Sequence, residues 1–182
     1  GDPPMPPEPA RVAILTVSDR ASRGEYEDKG GPAAEAWIRR VVTSPVVVLR
    51  RIVPDGQEAV AAALRELADG WGADLILATG GTGPAPRDQT PEALEAVIGK
   101  RLPGFGEAMR EASLREVPTA ILSRQDAGVR GRTLIVTLPG KPSAIATCLR
   151  AVFAAVPYCL DLIGAARIET DPAEVEAFRP RA

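Results

Sequence analysis

Thr79-Gly80-Gly81-Thr82-Gly83 follows the apolar run Leu75-Ile76-Leu77-Ala78, and Asp88 stands five residues further on. Three glycines and two threonines at the end of a buried strand add little packing. They suit a backbone that must lie close to a phosphate, with a nearby carboxylate able to hold a metal ion. A second acid, Asp55 in Pro54-Asp55-Gly56, also follows an apolar run. It can equally be a turn residue. Asp88 can cap the helix that follows, although Thr90 before Pro91 is better placed for that. Two carboxylates at strand ends suit Mg²⁺, which takes one or two carboxylates together with substrate phosphates. The loop is not a Walker A loop, because Pro84 stands where Lys is required, nor a Rossmann fingerprint, because Pro86 stands where the third glycine belongs.

The elements that must position these residues read clearly. Arg11 to Val17, Val46 to Val53, Asp74 to Ala78 and Thr133 to Leu138 are apolar strand runs. Between them lie amphipathic stretches. Ala34, Trp37, Ile38 and Val41 share one helical face after Gly31-Pro32, and Val60, Leu64, Leu67 and Trp71 another. A helix is expected from Pro91 to about Gly99 and one from Phe105 to Glu116. Ala120 to Leu122 is a short strand candidate, and Gly128 to Gly131 reads as a turn. A closing helix from Pro142 carries Ile145, Cys148, Leu149, Val152 and Phe153 on one face, with Pro157 interrupting it. Ser18 to Gly30 reads as a polar loop. Strands alternating with helices predict an α/β fold, a three-layer αβα sandwich with a mostly parallel central sheet. Ligands of such sheets bind at the carboxyl ends of the strands. Those ends are Ser18-Asp19, Asp55, Thr79 to Gly83 and Pro139-Gly140-Lys141, and Ser123-Arg124 follows the short strand candidate.

The 182 residues predict a single domain over 11–182, after a proline-rich lead-in over 1–10 expected to be disordered. Lys plus Arg total 22 against 24 for Asp plus Glu, which argues against a nucleic-acid binder. There is no histidine and no C-x-x-C, excluding His-based triads and zinc sites. Cys148 and Cys159 read as buried thiols, which fits a reducing, cytoplasmic setting. No apolar stretch is expected to reach the length of a membrane span.

The glycine loop with Asp88 resembles the signature of the molybdenum cofactor biosynthesis proteins. Val17-Ser18-Asp19-Arg20, Pro54-Asp55, Pro103-Gly104-Phe105-Gly106-Glu107, Ala120 to Arg124 and Leu138-Pro139-Gly140 fall in that family's order. Val156-Pro157-Tyr158-Cys159 and the tail through Pro180 look like its Mog branch rather than its MoaB-type branch. Lys141 departs from the usual small polar residue or glutamine. The resemblance implies a Mg-dependent nucleotidyltransferase that moves AMP from ATP to the terminal phosphate of molybdopterin and releases pyrophosphate. In it Asp55 and Asp88 would be the catalytic, metal-holding residues, and Thr79, Gly80, Gly81, Thr82, Gly83, Pro139 and Gly140 would bind nucleotide. Ser18, Asp19, Ser123 and Arg124 would bind the pterin. A cytoplasmic homotrimer that passes its product to a molybdenum insertase is implied as well, and a non-catalytic pterin-binding protein is the alternative.

Overall fold

A computed structural model describes residues 1 and 8–181. The lead-in expected over 1–10 falls largely outside the described residues, and its last residue, Ala10, already opens the first strand, pairing with Val46.

In chain order the elements are β1 (Ala10–Val17), α1 (Asp19–Ser22), α2 (Gly30–Val41), β2 (Val46–Val53), α3 (Gln57–Arg65), β3 (Leu75–Thr79), α4 (Thr90–Val97), β4 (Lys100–Arg101), α5 (Pro103–Leu114), β5 (Ala127–Arg130), β6 (Thr133–Leu138), α6 (Pro142–Val152) and α7 (Val156–Leu162). A π turn, Glu66–Gly70, extends α3, and a 3₁₀ turn, Phe153–Ala155, joins α6 to α7. The six strands form one sheet in the order β2-β1-β3-β6-β5-β4. The first four are parallel; β5 runs antiparallel to β6, and β4 antiparallel to β5.

Strand alternation divides the core into two halves. Val12, Ile14, Leu75, Leu77, Leu134 and Val136 face α2, α5, α6 and α7 and pack with Trp37, Ile38 and Phe153. Ala13, Leu15, Val17, Ile76, Ala78 and Ile135 face the opposite way, onto Val60, Leu64 and Leu94 of α3 and α4. With each fully buried Leu, Ile or Val worth roughly 1.5–3 kcal/mol, these two layers fix the strand ends that carry the site. Cys148 is buried and Cys159 half-buried, both as free thiols, and burial pushes both upward from the usual thiol pKa.

Several expectations need correction. Ala120 to Leu122 is not a strand but part of a 3₁₀ turn, Pro118–Leu122; Ile121 and Leu122 are exposed there. Gly128 to Arg130 lies in β5, and the turn itself is at Gly131, whose φ is +56°. Ser18 to Gly30 contains α1, for which Ser18 is the N-cap. Trp71 lies past the helix, half-buried under the Arg11 guanidinium, 5.8 Å from the ring centroid. Pro142–Leu162 is a 21-residue helical run long and apolar enough to suit a membrane span, contrary to expectation. Its apolarity is that of a core helix: Ile145, Leu149, Val152, Phe153 and Val156 are buried beneath the sheet.

Candidate functional site

The chain leaves β1 toward β2 on one side and returns to β3 on the other, so the strand order reverses between β1 and β3. A crevice opens beyond the carboxyl ends of strands at such a point. Register brings the ends level: Val17 pairs with Val53, Thr16 with Thr79 and Thr79 with Leu138. The next residues are held in place by the Ser18 amide donating to the Val53 carbonyl at 2.9 Å and the Gly80 amide to Leu138 at 2.9 Å. A cleft of 310 Å³ forms there, bordered by Thr16, Ser18, Tyr26, Thr79, Gly80, Gly140 and Lys141. A larger cavity, 580 Å³, lies between α5 and α6, away from every strand end and from the glycine loop.

The glycine loop is tied from behind. Thr90 gives its hydroxyl to the Gly80 carbonyl at 2.8 Å and its amide to Gly81 at 3.1 Å. The Arg124 amide donates to Thr82 at 2.8 Å, and the Arg124 guanidinium to the Gly83 carbonyl at 3.0 Å. Four successive carbonyls thereby accept hydrogen bonds from Thr90 and Arg124, while the amides of Gly81, Thr82 and Gly83 find no protein acceptor among the described residues. Successive unpaired amides make an anion-binding nest. Gly80 and Gly81 have φ of +94° and +69°, a region costly for other residues. A side-chain carbon at Gly80 would overlap the Val17 carbonyl, and one at Gly81 the Thr90 hydroxyl. Thr90 is therefore not the N-cap; its hydroxyl holds the loop, and Gln89 precedes α4 without a side-chain cap.

The acids lie beside the loop. Asp55 Oδ2 accepts from the Asp19 amide at 3.0 Å, and Asp19 Oδ1 from the Asp55 amide at 3.1 Å. Burial pushes Asp55 above the ordinary carboxylate range, and the negative charges of Asp19 and Asp88 add to this. Asp19 is shifted the opposite way, chiefly by the hydrogen bonds of Arg87. Asp88 Oδ2 accepts from the Ala85 amide at 3.1 Å. Asp55 Oδ1 comes within 3.1 Å of the place a Gly81 side chain would fill, and Asp88 Oδ2 within 2.8 Å of that at Gly83.

No group of three or more His, Cys, Asp or Glu able to hold a metal is found among the described residues. Two hard carboxylates on a nest of amides, each with one oxygen unpartnered among the described residues, fit Mg²⁺ completed by substrate oxygens. The repulsion from Asp19 and Asp88, which adds to the effect of burial on Asp55, would be relieved by such a cation.

The structure thus brings Ser18, Thr79, Gly80 and Gly140 to one cleft, with Pro139 next in the chain. It separates the residues expected to bind a pterin. Asp19 is turned to Arg87 and Asp55. Ser123 and Arg124 border a different cavity of 380 Å³, with Arg101 and Arg110. Ser123 Oγ lies 3.4 Å from Thr82 Oγ1. The Arg124 guanidinium is taken up by Gly83, by the Asp88 carbonyl at 2.8 Å and by Glu92 at 2.9 Å. These bonds make it a brace for the loop. Sequence reasoning passed over Arg87, Tyr26, Thr16 and the loop-holding role of Thr90. The adjacency of Arg87 to Asp88 was the available signal.

Comparison with known proteins gives one consistent result. Residues 13–158 match the family described as the probable molybdopterin binding domain. A molybdopterin adenylyltransferase of Helicobacter pylori is 48% identical over 170 residues, covering 93% of this chain and 97% of that protein. One from Escherichia coli K12 is 46% identical over 183 residues, covering 94% of each. The crystal structure of the molybdopterin biosynthesis enzyme MoaB from Thermus thermophilus superposes with a TM-score of 0.77 at 45% identity, covering 85% of this chain and 96% of that one.

Proposed function

Since the chain belongs to the molybdopterin-binding domain family, we propose that it is a molybdopterin adenylyltransferase, which transfers AMP from ATP to the terminal phosphate of molybdopterin and releases pyrophosphate. The observation that carries this reading is the row of unpaired amides at Gly81, Thr82 and Gly83 beside two carboxylates. An oxygen of the molybdopterin phosphate attacks the α-phosphorus of ATP, and the bond to the β-phosphate oxygen breaks as pyrophosphate leaves. The nucleophile is already anionic near neutral pH, so no general base is needed, which suits a chain without histidine. The protein's work is positioning and charge neutralisation.

In this reading the loop from Thr79 to Gly83 receives the nucleotide phosphates through its amides. Pro139 and Gly140, across the cleft, lie against its sugar or base. Ser18 faces the same cleft, and Ser123 the neighbouring cavity, as contacts for the pterin substrate. Asp19 and Arg124 act through the residues that they hold. Asp55 and Asp88 would hold Mg²⁺, which supplies charge neutralisation at the reacting phosphate. The cytoplasmic setting, the homotrimer and the insertase that receives the product rest on the family resemblance. The exposed apolar residues Leu114, Val117, Ile121 and Leu122 favour association with further copies.

Purified protein incubated with ATP, Mg²⁺ and molybdopterin is expected to release pyrophosphate and form adenylylated molybdopterin. Tight pterin binding without turnover would instead place the chain with the non-catalytic alternative.

A further inference from the structure

Arg87 is the residue immediately before Asp88, and its side chain reaches back over the turn that carries Asp55. Nε donates to Asp19 Oδ2 at 3.0 Å and Nη2 to Asp19 Oδ1 at 2.9 Å, a two-pronged grip on one carboxylate. The same Nη2 donates to the Asp55 carbonyl at 2.8 Å. The guanidinium lies 3.6 Å from the place a Gly56 side chain would fill, so it sits directly on the Pro54-Asp55-Gly56 turn. Asp19 and Asp55 in turn exchange backbone-to-carboxylate bonds of 3.0 and 3.1 Å. Three separate segments, the start of α1, the turn after β2 and the loop after β3, are therefore pinned at one planar group.

The pair is too open to matter much for stability. The Arg87 side chain is 64% exposed and that of Asp19 22%. Exposed ion pairs contribute little to folding. What the fork supplies is geometry: donors in a fixed plane grip both oxygens of a carboxylate side by side and a carbonyl as well, a match that the point charge of a lysine ammonium does not reproduce. On the other side of the loop, Arg124 holds the Asp88 carbonyl. Asp88 is thus fixed from both sides, and Asp55 from one of them.

We propose that Arg87 is a positioning residue, which sets the spacing between Asp55 and Asp88 by locking Asp19 and the Asp55 turn to its own loop. This rests on the reading of Asp55 and Asp88 as the pair that serves the nucleotide phosphates. Residues that orient ligands from the second shell typically change metal affinity or activity by about 10–100-fold.

The test is R87A, alone and with D19N, followed by turnover and by a separate titration of Mn²⁺ in the presence of an unhydrolysable ATP analogue, read by electron paramagnetic resonance. R87A is expected to lower kcat and to weaken Mn²⁺ binding, each by roughly tenfold or more. Affinity for the metal-free nucleotide stays within about twofold, because the amide nest is untouched. The melting temperature moves by about 2 °C or less. R87K stays within about threefold of R87A. The double variant is no worse than the worse single one, since both changes break one unit. Wild-type Mn²⁺ binding in R87A, full additivity with D19N, or a parallel loss of metal-free nucleotide binding and melting temperature overturns the proposal. If the wild-type protein releases no pyrophosphate, the adenylyltransferase reading fails, and the Mn²⁺ titration still decides the role of Arg87.

Discussion

Where β1, β3 and β6 end, glycine frees the backbone for a ligand; between the antiparallel strands β5 and β4, glycine lets the backbone pack. Gly80 and Gly81 have positive φ, their carbonyls accept hydrogen bonds from Thr90 behind the loop, and the amides of Gly81, Thr82 and Gly83 have no partner among the described residues. Gly128 in β5 has no unusual φ. A side-chain carbon there would come within 2.5 Å of Ile98 Cδ1 and 2.9 Å of the Lys100 carbonyl. Close approach thus requires glycine in both places, and positive φ requires it at Gly80 and Gly81 as well. An unsatisfied row of amides is the feature that tells them apart, since native proteins seldom leave such groups without a use.

The difference is most severely tested at Gly81. G81A is expected to lower turnover by more than about a hundredfold, because the strained backbone turns the amides of the nest out of line. It should also destabilise the fold by about 2 kcal/mol through backbone strain and overlap with Thr90. Pyrophosphate release and urea denaturation measure the two losses, and unchanged ATP binding would remove the nest from the mechanism. D88N comes next. Turnover should fall by about a hundredfold, the typical effect of removing one electrostatic contact. The Ala85 amide can still donate to the asparagine oxygen, so the melting temperature should change by only about 2 °C or less. Near wild-type adenylylation by D88N would rule out a metal role for Asp88.

The two regions also differ in how openly the sequence displays them. β1, β3 and β6 are rich in Val, Leu, Ile and Ala, as buried parallel strands are, and the edge strand β2 is rich in valine, so each could be placed to within a residue or two. β4 is only Lys100–Arg101, too short to show any period. β5 is Ala-Gly-Val-Arg, whose glycine suggested a turn although a neighbouring side chain is what requires it. In the site, residue types revealed the glycine loop, Asp55 and Asp88. They could not reveal which partners each charge had already taken. Nothing local in the chain predicts that Arg87 donates to Asp19, 68 residues away, or Arg124 to Gly83, 41 residues away. Long-range hydrogen bonding decides whether a polar residue serves the ligand or the scaffold, and it is set by topology rather than by local pattern.

G128A tests the margin. Overpacking against Ile98 and Lys100 should destabilise the fold by about 1–3 kcal/mol. Turnover per folded molecule should remain within about twofold, because β5 contributes no group to the cleft. A loss of turnover without a loss of stability would mean that the antiparallel margin is coupled to the nest.

The smallest change in stability expected runs against ordinary intuition about losing a hydrogen-bonded acid. Asp55 is held above the usual carboxylate range by burial, with Asp19 and Asp88 adding repulsion. The folded protein therefore binds its proton more tightly than the unfolded chain does, and stability falls as pH rises through the folded-state pKa. At neutral pH the ionised carboxylate is a small cost to the fold. D55N removes that charge while its side-chain oxygen can still accept from the Asp19 amide. It should raise stability at pH 7 by at most about 1 kcal/mol, since solvent screens a side chain that is only half-buried. The gain should shrink toward zero at about pH 3.5, where the wild-type carboxyl is becoming neutral as well. Turnover should fall by about a hundredfold at the same time. Urea denaturation at both pH values, beside pyrophosphate release, tests the combination. If D55N were instead less stable at pH 7, Asp55 would belong to the scaffold, and the contrast between a backbone shaped for a ligand and one shaped for packing would not extend to its carboxylates.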